Sequence, residues 1–103
     1  PIEVLFYGPY RQFSSRGEPG VQVDFLLHTK DKTVFVCEFK FSKNKLGTEV
    51  ISEVQSKLDK IKLPVGGGFV PVLFHASGVT PEVTKSGFFG KIIEVTELLN
   101  IDC

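Results

Sequence analysis

Apolar and polar positions change rhythm several times along this chain, and each change marks an element. Residues 2–7 are a short apolar segment that suits a strand or the tail of a helix beginning upstream. Residues 8–20 are polar and rich in turn formers, with Gly8-Pro9 and Gly17-Glu18-Pro19-Gly20 as the clearest breakers, and read as a loop or loose hairpin. Residues 21–29 and 33–42 are two strands rich in Val, Leu and Phe around the charged turn Lys30-Asp31-Lys32. Val50, Val54, Leu58 and Ile61 then recur at helical spacing. Thr48 is placed as the cap of that helix and Glu49 in its first turn, where the helix dipole favours an acid. Pro64 and Gly66-Gly67-Gly68 end the helix and form a flexible loop. Residues 69–76 are a third strongly apolar strand, in which Pro71 suggests an edge or a strand start. Thr80-Pro81-Glu82 predicts a short helical turn, residues 91–95 a last strand, and Thr96 the cap of a terminal helix over 97–100.

The two central strands carry charges where burial would be expected. A turn centred on Asp31 sets Leu26 opposite Val36, His28 opposite Val34 and Asp24 opposite Glu38. Alternation then puts Asp24, Leu26, His28, Val34, Val36, Glu38 and Lys40 on one face, and Val23, Phe25, Leu27, Phe35, Cys37, Phe39 and Phe41 on the other. Both faces are largely apolar, as in a strand covered on both sides. Asp24, Glu38 and Lys40 are therefore expected at the covered end of a sheet. Directly opposed side chains have Cβ atoms about 5 Å apart, and two carboxylates there repel by roughly 3 kcal/mol at an effective dielectric of about 20. Something must offset that repulsion. Mg²⁺ would do so, because it favours carboxylate oxygens and keeps several waters. The competing reading is a diagonal ion pair between Asp24 and Lys40, with Glu38 solvated at a strand end.

Composition narrows the classes. The chain has 103 residues, enough for one domain with its own core, and is 42% hydrophobic with ten Phe. Twelve basic and twelve acidic residues balance, so bulk charge lends no support to a polyanionic partner. No apolar run approaches the roughly 18 residues of a membrane-crossing helix, and no membrane association is expected. Residues 2–6 are too short, and lack the basic lead-in, to read as a signal peptide. Cys37 lies in an apolar run and Cys103 ends the chain; they form no disulfide framework, and a reducing cytoplasm is the expected location. Cys37 reads as a small buried hydrophobe. The start at Pro1 and the lack of any Met lead us to expect a piece of a longer protein.

An Asp on one strand, Glu-x-Lys on the next and a Gln on the following helix resemble the PD-(D/E)XK nuclease superfamily. Here these are Asp24, Glu38-Phe39-Lys40 and Gln55. The closer resemblance is to the nuclease-like C-terminal domain of archaeal-type P-loop ATPases, which tends to carry G-x-Q-I-D-L-L-I and C-E-I-K-F-S. This chain has Gly20-Val21-Gln22-Val23-Asp24-Phe25-Leu26-Leu27 and Cys37-Glu38-Phe39-Lys40-Phe41-Ser42. The run Ile92-Ile93-Glu94-Val95-Thr96-Glu97-Leu98-Leu99 resembles the same family's closing strand and helix. The resemblance implies an α/β, restriction-endonuclease-like fold: a central mixed sheet flanked by helices, spanning residues 1–103 as one domain of a longer ATPase. It implies that Asp24 and Glu38 hold Mg²⁺ or Mn²⁺. Lys40 would orient or help deprotonate the attacking water and stabilise charge on the phosphate, and Gln55 would complete the catalytic set. DNA and the ATPase domain of the same parent chain are the implied partners, and an oligomer is compatible with it.

The family's leading helix with its acid has no clear counterpart; only Glu3 precedes the motif. No G-x-x-x-x-G-K-[ST] phosphate loop occurs. His28 and His75, the two histidines, show no zinc-ligand spacing. Lys43, Lys45, Lys57, Lys60 and Lys62 read either as the border of a phosphate-tracking groove or as ordinary solvated lysines. Arg11 and Arg16, with Tyr7 and Tyr10, mark a second place for a DNA contact. Three functions stand: a metal-dependent DNA endonuclease, a catalytically inactive module of the same fold that binds DNA or protein, and another metal-dependent hydrolase using the same carboxylates.

Overall fold

The computed structural model describes residues 3–63 and 67–99. In chain order the elements are β1 (Val4–Gln12), β2 (Val21–Thr29), β3 (Val34–Lys40), α1 (Glu49–Lys60), β4 (Phe69–His75), α2 (Pro81–Ser86), β5 (Lys91–Glu94) and α3 (Val95–Leu99). The strands form one mixed sheet in the order β1-β2-β3-β4-β5. The β1–β2 and β2–β3 pairs are antiparallel; β3–β4 and β4–β5 are parallel. Parallel neighbours need a crossover, and α1 and α2 supply the two. The expected central mixed sheet with helices is thus present.

The turn between β2 and β3 is held by its own side chains. Lys32 takes a left-handed φ of 71°, and the Asp31 carboxylate accepts from the Thr33 N–H at 3.1 Å and from the Thr29 hydroxyl. The Thr29 hydrogen bond, with those from Thr33, lowers the Asp31 pKa below its ordinary 3.8. The resulting β2–β3 register sets Leu26 against Val36 and His28 against Val34, as the turn position predicted.

Helix α1 lays its stripe on one face of the sheet. Ile61, just past its end, packs with Val21, Val23, Leu26, Val34 and Val36. Val50 and Val54 pack with Leu73 of β4, Val83 of α2 and Phe89, so α2 lies on the same side. The opposite face carries Phe39 stacked on Phe74 at 4.7 Å, and leaves Tyr7, Phe39 and Phe41 exposed.

Several expectations are corrected. Strand β1 runs on through Gln12, into what reads as loop. Thr48 holds the expected cap position of α1 but makes no side-chain capping bond, and Thr96 lies inside α3 rather than ahead of it. Cys103, and Asn100 of the expected terminal helix, lie outside the described residues, as do residues 64–66 of the expected glycine loop. Strand β4 is interior despite Pro71, which pairs with Val36 of β3. The Pro71 carbonyl accepts from the Gly90 N–H at 2.8 Å. In an extended strand the N and O of one residue face the same side, so the missing donor faces β5. Pairing with β5 begins only at Val72, and no ladder bond is lost there.

Candidate functional site

A β-bulge in β2 shapes the site. Gly8 of β1 pairs with Leu26 and Tyr10 with Val23, so Asp24 and Phe25 together oppose Pro9. Such an extra residue interrupts alternation and re-aims side chains. Val21 and Val23 therefore join Leu26 in the core beneath α1, although strict alternation assigns Val23 to the opposite face. Regular β2–β3 pairing starts at Phe25 with Cys37, one step short of Asp24 and Glu38.

The two carboxylates meet there in a crossed arrangement instead of a ladder pair. The Asp24 N–H donates to Glu38 Oε2 at 3.0 Å, and the Phe39 N–H donates to Asp24 Oδ2 at 2.9 Å. Each acid thus accepts a backbone donor from the other's strand. Their burial differs: Glu38 is 0% exposed, whereas Asp24 is exposed. Of the three residues expected at the covered end, Glu38 is buried, Lys40 half-buried and Asp24 exposed. Glu38 Oε1 receives the Lys57 ammonium at 2.5 Å. The offset that the like-charge pair demands is therefore supplied by Lys57 and by two backbone N–H groups.

Lys40 pairs with Glu53 of α1 at 2.8 Å, not diagonally with Asp24, and Glu38 is not solvated, so the competing ion-pair reading is overturned. The hydrogen bond to Glu53 raises the Lys40 pKa above its ordinary 10.5, against burial, with smaller upward contributions from the charges of Glu53, Glu38 and Asp24. Lys40 is consequently an ammonium at neutral pH. Burial, and then the Glu38 charge, pushes the Cys37 thiol up, and it remains an unreactive hydrophobe.

The pairing between β3 and α1 has a metric basis. Two residues along a strand advance about 6.6 Å, and four along a helix about 6 Å. Glu38 and Lys40 on the strand therefore match Lys57 and Glu53 on a helix running the other way, each facing an opposite charge. Gln55 lies about 200° around the helix from Lys57. It is exposed and donates to Asp59 Oδ1 at 2.8 Å, so the structure does not bring it to Asp24, Glu38 and Lys40. His28 lies about 13 Å along β2 from Asp24, out of reach. His75 is buried, in register with Lys40 on the neighbouring strand, and its Nδ1 accepts from the Gly78 N–H at 3.0 Å. Lys43 and Lys45 are exposed just past β3, at the site's end of the sheet, whereas Lys60 and Lys62 lie at the far end of α1.

No family model and no curated protein matches the sequence. The fold is nuclease-like. It is similar to the crystal structure of a repair endonuclease from Pyrococcus abyssi, at a TM-score of 0.55 and 19% identity over 84% of this chain. The chain spans 38% of that structure's length. At this identity the likeness carries the fold alone.

Within that nuclease-like fold, a metal ion would find two acid ligands. Among the described residues no group of three His, Cys, Asp or Glu side chains converges. Glu38 already faces one cation, the ammonium of Lys57, and Mg²⁺, which takes much of its shell from water and phosphate, would need only Glu38 and Asp24 from the protein. Glu53 is the member that sequence reasoning missed, and Lys57 stood there only among general lysines. Their spacing of four on the flank of the buried stripe was the available signal. It would have suggested a pair within the helix; instead each reaches down to β3.

Proposed function

We propose that this chain is a metal-dependent DNA endonuclease domain of the PD-(D/E)XK kind, attached in its parent protein to a P-loop ATPase domain. The observation that carries the reading is the meeting of Asp24 with the buried Glu38 at one sheet end, with Lys40 two residues further along β3. The fold shared with a repair endonuclease supports it, and so does the resemblance of the two strand motifs to the ATPase-linked family. Asp24 and Glu38 would hold Mg²⁺ or Mn²⁺, which when bound supplies Lewis acidity and activates water.

Asp24, exposed and bonded through Oδ2 to the Phe39 N–H, presents the open side of the site. Lys40, kept protonated by Glu53, stabilises negative charge developing on the phosphate and orients water, rather than removing a proton. The test pairs calorimetric titration of Mg²⁺ and Mn²⁺ with a cleavage assay on DNA. Asp24→Asn should abolish ion binding, and Lys40→Ala should lower cleavage by at least about a hundredfold with the fold intact. Equal cleavage by wild type and Lys40→Ala would sink the assignment.

A second reading has its own support. Both Glu38 oxygens are already engaged within the protein and Gln55 faces away, as suits a module that binds DNA or protein without catalysis. Such a module takes up no metal at Asp24 and cleaves neither DNA, RNA nor small phosphodiesters.

A further inference from the structure

We infer that Lys57 is the resident counter-ion of Glu38, an exchangeable cation that a divalent metal must displace to enter the site. The inference rests on the metal-site reading and assigns the residue that regulates it.

The Glu38 carboxylate cannot turn to water, because its side chain is 1% exposed. A buried carboxylate without a counter-charge is strongly disfavoured and takes up a proton instead, so it is a cation beside it that keeps Glu38 charged. In this structure that cation is the Lys57 ammonium, at 2.5 Å from Oε1.

Lys57 is built to leave. Its side chain is 27% exposed, it sits one turn from the end of α1, and its stem has several rotatable bonds. Its ion pair is with Glu38, whereas the other ammonium, Lys40, is held by Glu53. Swinging outward returns Lys57 to water, an escape that Glu38 does not have.

Charge gives the exchange a direction. Asp24, Glu38 and Glu53 carry three negative charges against two positive ones on Lys40 and Lys57, leaving one negative charge. A divalent ion turns that into one positive charge, which matches a single phosphodiester. The displaced ammonium remains at the rim, where a phosphate would meet it. The apo protein thus avoids an unpaired buried acid, and the metal-loaded one is matched to its anionic substrate.

The experiment is Mn²⁺ titration by calorimetry, with thermal unfolding followed with and without Mn²⁺, on wild type, Lys57→Met, Lys57→Arg and Asp24→Asn. Lys57→Met should bind Mn²⁺ at least about tenfold more tightly than wild type, the factor carried by one hydrogen bond to a charged group. Its melting temperature should be lower without metal and gain more from Mn²⁺ than wild type does. Lys57→Arg, which keeps a cation, should stay near wild type. Equal or weaker binding by Lys57→Met, with binding still lost in Asp24→Asn, would overturn the displacement while the metal site stood. Wild-type binding that survives in Asp24→Asn, or none by wild type and Lys57→Met alike, would overturn both. Should Lys57→Met not fold, Lys57→Gln, whose amide still donates to Glu38, is expected to follow the same order.

Discussion

At the scale of the residue, what matters is which charge can reach water. Glu38 is sealed, Lys57 is half-open, and Asp24 faces solvent, so the three carry different burdens although all lie in one cluster. The same reasoning applies to Lys40. Its pKa is raised in the folded state by the bond to Glu53, so it contributes stability that is fully present below its ordinary 10.5 and is lost as pH rises through the higher folded value. The Glu53 side chain is 55% exposed, which limits the contribution to under about 1 kcal/mol. Denaturant unfolding on either side of pH 10.5 should therefore reveal a small loss of stability that is absent from Glu53→Gln. An identical alkaline loss in the variant would mean that other groups account for it.

At the scale of the element, the pairing of β3 with α1 depends on α1 keeping its height along the sheet. Gln12 contributes to this from a distance. Its Nε2 donates to the Pro19 and Lys60 carbonyls, both at 2.8 Å, and its Oε1 accepts from the Lys62 N–H at 2.9 Å and the Tyr10 hydroxyl at 3.1 Å. One side chain thus ties β1 and the loop before β2 to the end of α1. Gln12→Ala should cost roughly 1–2 kcal/mol. It should also speed hydrogen exchange at the Lys62 amide more than at amides within β3. Uniform acceleration across the chain would indicate global destabilisation instead of a lost tie.

Much at this scale was legible in the sequence. The bounds of β2, the turn at Asp31 and the register across it followed from apolar runs flanking a charged turn. The face of α1 followed from spacing. The β-bulge was not legible, because Val23, Phe25, Leu26 and Leu27 are all apolar and suit either face. The one polar residue there, Asp24, sits in the bulge itself and pairs equally well with Glu38 under strict alternation, so alternation reads straight through the slip. The interior place of β4 was hidden for a related reason: Pro71 signals an edge locally, and only the late start of β5 removes the conflict.

At the scale of the whole molecule, a formal charge of zero leaves local lysine groups to decide where a polyanion would lie. Lys43 and Lys45 follow β3 at the sheet end that carries Asp24 and Glu38, while Lys62 lies on the β1–β2 side of that end, where it pairs with Glu18 at 3.9 Å. If the proposed function holds, the two lysines after β3, which make no ion pair among the described residues, track DNA phosphates, and the pair at the end of α1, where Lys62 is already engaged by Glu18, does not. Replacing Lys43 and Lys45 by Ala should then flatten the plot of log affinity against log salt by about 1.8, at about 0.9 per phosphate contact. Replacing Lys60 and Lys62 should leave the slope unchanged. Fluorescence titrations with a short duplex at several salt concentrations would read both, and a drop from Lys60 and Lys62 alone would place DNA on the β1–β2 side instead.

The sequence by itself determined the strand motifs, the order of the main elements and the acids that would come together, because these rest on local periodicity and on turn chemistry. Tertiary structure alone decided how those acids are made tolerable. A bulge moved Asp24 off the ladder, the depth of the sheet end sealed Glu38, and the match between two strand steps and one helical turn delivered Lys57 and Glu53 to β3. It also carried Gln55 away, since two residues along a helix reverse its side. Pattern in a sequence specifies which face a residue shares; which charge stands beside it depends on the height at which a helix crosses a sheet, and that is a property of the packed molecule.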